Sequence, residues 1–119
     1  MRRLPLLIVV GVAAVSAFGA TPVAQTAEPV AVSIVEPPLK PPPTWTYEPK
    51  VVTVKVGTEV TWTNNGAVVH TVSADDGKTF ASGNMAAKAT FSFTPTTPGT
   101  FPYHCKQHPW MKGALIVQP

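Results

Sequence analysis

A small all-β sandwich of about seven short strands is the fold this sequence predicts. Three observations carry that reading. Apolar and polar side chains alternate with period two through much of Thr44 to Pro119. Turn signals built from Gly, Pro and Asn recur at roughly even spacing between the alternating runs. No convincing amphipathic helix is visible; Gly83 to Lys88 has room for one turn at most.

The elements follow in order. Thr44-Trp45-Thr46-Tyr47 reads as a first edge strand. Val52, Val54 and Val56 alternate with Thr53 and Lys55, and Gly57-Thr58 turns the chain. Val60 and Trp62 alternate with Thr61 and Thr63 until Asn64-Asn65-Gly66, where Asn-Gly is a strong turn signal. A short strand follows at His70 to Ser73, then the polar loop Ala74-Asp75-Asp76-Gly77-Lys78. Ala89, Phe91 and Phe93 form the next alternating run, and Pro95 to Gly99 the next turn. Phe101, Tyr103 and Cys105 alternate with Pro102 and His104, and Ala114 to Val117 closes the chain. Trp45 and Trp62 read as core or edge packing residues, and Met85 as a core or surface residue in a turn-rich stretch far from the loop that follows Cys105.

Composition divides the chain into three parts. Residues 1–19 begin Met1-Arg2-Arg3, continue with an almost wholly apolar run from Leu4 to Phe18 and end on small residues. This is the pattern of a secretory signal peptide, or of an N-terminal anchor that tethers the chain to a membrane through residues 4–18. The run is short of the roughly 20 residues that span a bilayer, which favours cleavage. Residues 20–43 read as a Pro-rich linker, with Pro37-Pro38 and Pro41-Pro42-Pro43 favouring extended polyproline geometry. Residues 44–119 form the expected domain. A domain so small buries only about 60% of its unfolded surface, so a bound metal would add useful stability.

Charge excludes one class of partner. Without Arg2 and Arg3, seven lysines face six acids, and no basic stripe is interleaved with aromatics, so no nucleic-acid footprint is present. The one cysteine cannot make an internal disulfide; it is free, intermolecular or metal-bound. In an exported chain a free thiol is open to oxidation, and metal ligation removes that difficulty.

The run Cys105-Lys106-Gln107-His108-Pro109-Trp110-Met111-Lys112 places a thiolate, an imidazole and a thioether at i, i+3 and i+6. A Cys–His pair completed by a second His, with a weak axial Met, is the ligand set of a blue-copper electron-transfer site. The second imidazole has an evident candidate in His70, at the end of Ala67-Val68-Val69. Thirty-five positions separate His70 from Cys105, so the site is tertiary and an unfolded chain cannot preform it. His108, followed by Pro109 and Trp110, is expected to be the exposed ligand inside an apolar collar, with Lys106 and Lys112 flanking it. Cys105 is expected to face inward, with Asn64, Asn65 and Thr71 as candidate donors to its sulfur. His104 should point to the opposite face of its strand. A second, catalytic copper would need several more histidines, and the chain has three in all, so no enzyme is expected.

The segments Pro49 to Gly57, Val60 to Asn64, His70-Thr71-Val72 and Tyr103-His104-Cys105 to Met111 resemble the cupredoxins, the group of plastocyanin, pseudoazurin and amicyanin, and most closely the amicyanins. The resemblance covers nearly all of residues 44–119. It implies a Greek-key β-sandwich holding one type 1 copper on His70, Cys105, His108 and Met111. It also implies an exported, periplasmic one-electron carrier, a monomer that shuttles electrons between redox proteins. Such partners, a dehydrogenase or a c-type cytochrome, would dock near His108, Pro109 and Trp110. Many members carry Asn directly after the first His ligand, where it ties the two ligand loops together; this chain has Thr71 there. Two other readings stay open. A copper-handling protein would carry exposed Met-rich or His-rich runs, and a ligand-free interaction scaffold would lack the four residues. Zinc could take the same site, with Met111 then idle.

Overall fold

Short runs that alternate apolar and polar residues build eight strands in the computed structural model, which describes residues 28–119. They are β1 (Val30–Val35), β2 (Thr46–Glu48), β3 (Val51–Lys55), β4 (Val60–Asn64), β5 (Ser73–Ala74), β6 (Thr90–Phe93), β7 (Gly99–His104) and β8 (Lys112–Gln118). A single 3-10 turn, Pro42–Thr44, precedes β2. One sheet runs β2-β1-β4-β6 and the other β3-β8-β7-β5. Each holds one parallel pair, β1 with β4 and β3 with β8, and is otherwise antiparallel.

The two inner faces make one core. Val32 and Ile34 of β1, Tyr47 of β2, Val60 and Trp62 of β4, Tyr103 of β7 and Leu115 of β8 are all fully or almost fully buried. Each buried aliphatic or aromatic side chain of this kind is worth about 1.5–3 kcal/mol. The Trp62 indole N–H donates to the Tyr103 hydroxyl at 3.2 Å, so the largest core residue leaves no orphan donor. Gly113 faces Tyr103 across the β7–β8 ladder, and a Cβ there would lie 2.4 Å from the tyrosine ring.

The structure corrects the domain boundary and the strand count. Val30–Val35 falls inside the segment 20–43 read as a linker, yet it pairs with β4 over five residues and with β2 over three. Its alternation is genuine, with Val32 and Ile34 turned into the core. The prolines that surround it mask that period in the composition. The folded unit therefore reaches back to Val30, and the expected seven strands become eight. The signal or anchor at residues 1–19 and linker residues 20–27 lie outside the described residues. Gly83 to Lys88 forms no helical turn; Met85 instead bridges His70 as an isolated antiparallel pair. Met85 is buried beside the candidate site, not far from it.

Candidate metal centre

Two ends of the sandwich chain supply the site. The first is the segment after β4. Asn64, fully buried, braces its own turn: its amide donates to the Val68 and Met85 carbonyls, and its side-chain oxygen accepts from the Gly66 N–H. This holds His70 against Met85, with main-chain bonds in both directions at 3.2 and 2.8 Å. The second is the loop between β7 and β8. The Cys105 N–H donates to the Met111 carbonyl, the His108 N–H to the Cys105 carbonyl and the Met111 N–H to the His108 carbonyl. The loop is thus closed on itself as well as held at both ends by the sheet.

Folding brings three of the four expected ligands into one cluster. The His70 Nδ1 and His108 Nδ1 atoms lie 3.2 Å apart, the Cys105 Sγ is 3.4 Å from His108 Nδ1 and 3.7 Å from His70 Nδ1. A triangle with those sides has its centre about 2.0 Å from each corner, close to metal–nitrogen bond lengths of ~2.0–2.1 Å and a little short of metal–sulfur lengths of ~2.3 Å. Two imidazoles and a thiolate at that separation suit copper in both of its common oxidation states. His70 and Cys105 are fully buried and His108 only partly so, which places the water-facing edge of the site at His108, as expected from its loop position. Met111 is buried at the end of the same loop.

Of the three candidate donors to the sulfur, Thr71 is the one in place: its backbone N–H reaches Cys105 Sγ at 3.3 Å. Asn64 is committed to the turn described above, and Asn65 donates to Ser33. The Thr71 hydroxyl accepts the Lys106 N–H at 2.9 Å and shares a hydrogen bond with Ser73. A threonine therefore makes the side-chain tie between the two ligand segments. The Tyr47 hydroxyl adds a third fastening, donating to the Thr71 carbonyl at 2.5 Å.

Electrostatics prepare the thiol. Burial alone would push the Cys105 pKa up; hydrogen bonds from His70, the Thr71 amide and His108 outweigh it and bring the thiol down to about 6. Burial also works against a charged His70, but its contacts with Cys105 and Glu36 raise its pKa on balance. The thiolate, which is the ligating form, is thus favoured near neutrality.

Sequence reasoning missed two neighbours. Trp45 is an edge-on neighbour of both imidazoles, its ring 5.7 Å from His70 and 5.1 Å from His108. Trp110 flanks His108 at 5.3 Å, and its indole N–H donates to the Pro42 carbonyl. Proline-rich residues 41–45 thus wrap back over the ligand loop. The other is Glu36, whose carboxylate meets the far nitrogen of His70. Neither carries a motif; only the path of β1 and the turn after it reveals them. His104 points away, as its strand position requires, and pairs with Asp75 at 2.5 Å on the outer face.

Comparison with known proteins agrees with this architecture. The chain matches the cupredoxin-like domain family over residues 6–117. It is 41% identical over 76 residues to amicyanin of Paracoccus denitrificans, an overlap of 60% of this chain and 58% of that protein. It is 32% identical over 84 residues to plastocyanin of Scenedesmus fuscus, covering 60% of this chain and 86% of the relative. The chain thus spans only about three fifths of the amicyanin it matches. Among solved structures, the purple cupredoxin from Nitrosopumilus maritimus superposes with a TM-score of 0.67 at 26% identity, over 75% of this chain and 99% of the other. The reduced Cu(I) form of an amicyanin variant superposes with a TM-score of 0.63 at 31% identity, over 75% and 81%. Eight strands in two mixed sheets, a His–Cys–His cluster buried at His70 and Cys105, and these matches place the chain in the cupredoxin family.

Proposed function

We propose that this protein is a one-electron carrier built around a single type 1 copper, which His70 Nδ1, Cys105 Sγ and His108 Nδ1 would hold together with Met111. The observation that carries the reading is the convergence of the three donor atoms within 3.2–3.7 Å of one another, in a frame fastened from three sides. Copper supplies the exchange of one electron between Cu(II) and Cu(I). The chain's part is to keep its donors still through that exchange. Thr71 does so by bonding both the sulfur and the Lys106 amide, and Asn64 by bracing the turn before His70. Electrons leave or enter at His108, the ligand nearest water, flanked by Trp45 and Trp110. Trp110, exposed beside His108 and next to Pro109 in the chain, offers an apolar surface for a redox protein partner. A dehydrogenase or a c-type cytochrome is the partner class that the likeness to amicyanin supports. Residues 1–19 are proposed to export the chain to the periplasm, where it works as a monomer.

Transfer without catalysis is the proposal because His104, the residue beside the thiolate, is paired with Asp75 and the chain holds no further histidine to build a second copper site. Voltammetry of the copper-loaded full chain is the test. A reversible one-electron wave is expected. Copper that is bound but leaves on reduction would replace this reading with copper handling.

A further inference from the structure

Glu36 follows β1, inside the segment whose composition suggests only a linker. Its side chain is 13% exposed, and a carboxylate so placed needs partners. It has three. One oxygen accepts the Ala67 N–H at 2.9 Å; the other accepts the Val68 N–H at 3.0 Å and lies 2.8 Å from His70 Nε2. Since an ionised carboxylate only accepts, the His70 nitrogen facing it must carry the proton. In the neutral ring, the form that binds a metal, this leaves the lone pair of His70 on Nδ1, the atom that faces Cys105 and His108. Gly66 makes room for the arrangement: a Cβ there would fall 2.4 Å from the Glu36 oxygen. The turn is also pinned to β1 by the Asn65 N–H on the Ile34 carbonyl and by the Asn65 amide on Ser33.

We propose that Glu36 is the positioning residue of the metal centre: seated in the space left by Gly66, its carboxylate fixes the His70 ring and tautomer so that Nδ1 is the ligating atom. This rests on the copper reading above. A ligand imidazole that donates its far N–H to a carboxylate is more basic and better oriented, and loss of such a partner typically costs about 10–100-fold in metal affinity. The extra negative charge also favours Cu(II) over Cu(I). The alternative role, a staple for the Ala67–Val68 turn alone, makes no demand on the His70 tautomer or on the potential.

Three variants of the full chain separate the two roles. Glu36→Gln keeps the shape but turns a donor toward one of the N–H groups. Gly66→Ala keeps the carboxylate and displaces it. The double variant Glu36→Ala/Gly66→Ala has no carboxylate left to displace. Nitrogen-15 NMR of the metal-free wild-type chain should show His70 protonated on Nε2, a readout that needs no copper. Both single variants should bind Cu(II) about 10–100-fold more weakly, and each tenfold loss confined to Cu(II) should raise the potential by about 59 mV. In the double variant, Gly66→Ala should add little to the effect of losing the carboxylate. A His70 ring without a proton on Nε2, or affinity and potential unchanged in folded Gly66→Ala protein, overturns the proposal. A wild-type chain with the Nε2 proton that fails to form a blue site overturns the copper reading instead, so the two failures are told apart.

Discussion

Replacing Thr71 by valine swaps a hydroxyl for a methyl of nearly the same shape, so it opens no cavity. It removes the acceptor of the Lys106 N–H and the partner of the Ser73 hydroxyl. Thr71 and Ser73 are both buried, so no water takes the lost place at Ser73. A buried polar group left without a partner costs about 1–3 kcal/mol. The Lys106 amide lies nearer the surface and belongs at the low end, so the pair amounts to about 2–4 kcal/mol. That is a large part of the roughly 5–15 kcal/mol that holds a domain folded. In urea unfolding of the metal-free full chain, a slope of about 2 kcal/mol/M converts this to a midpoint about 1–2 M lower. Thr71→Ser keeps the hydroxyl and should lose about 1 kcal/mol or less, the worth of one methyl group. The backbone N–H on Cys105 sulfur survives in both variants, so both should still take up copper. A valine variant within about 0.5 kcal/mol of wild type would show that the hydroxyl ties nothing together, and the account of how threonine serves at this position would fall.

Ile34→Ala should cost about 2–5 kcal/mol in the same assay, because Ile34 is fully buried; a loss under about 0.5 kcal/mol would return β1 to the status of a linker. The thiolate absorbance of the metal-free chain should titrate with a midpoint of about 6. Because the folded pKa is lowered, the thiolate is present above that midpoint, and copper uptake should weaken as the pH falls through it. A midpoint at the ordinary cysteine value of about 8.5 would refute the hydrogen-bond account of the site. Met111→Leu should keep the blue colour, which belongs to Cys105, while shifting the reduction potential, because the axial residue tunes it; an unchanged potential would remove Met111 from the ligand set.

Much of the candidate site is readable in the chain because its chemistry is local. Cys105, His108 and Met111 share one short loop, and His70 closes an apolar run with no competing role. The strands from Val51 onward are legible because each has one buried face, which imprints period two on the residues. What escaped reading is what depends on the path of the chain. Val30–Val35 has the same alternation, but it is bounded by prolines and pairs in parallel with a strand thirty residues on, which no turn signal announces. Glu36 and Trp45 act on residues more than thirty and twenty positions away, and nothing in their own surroundings marks them out. Thr71 shows a different limit: a hydroxyl and a neighbouring serine reproduce a tie expected of an amide, and only the geometry reveals it.

The central claim is that Cys105, with His70 and His108, binds one copper as a thiolate complex. Visible spectra of the full chain and of Cys105→Ala, each with one equivalent of Cu(II), test it most directly. The account predicts an intense thiolate-to-copper band in the wild type and none in the variant. A wild-type chain that binds copper without that band, or a variant that keeps it, would contradict the account.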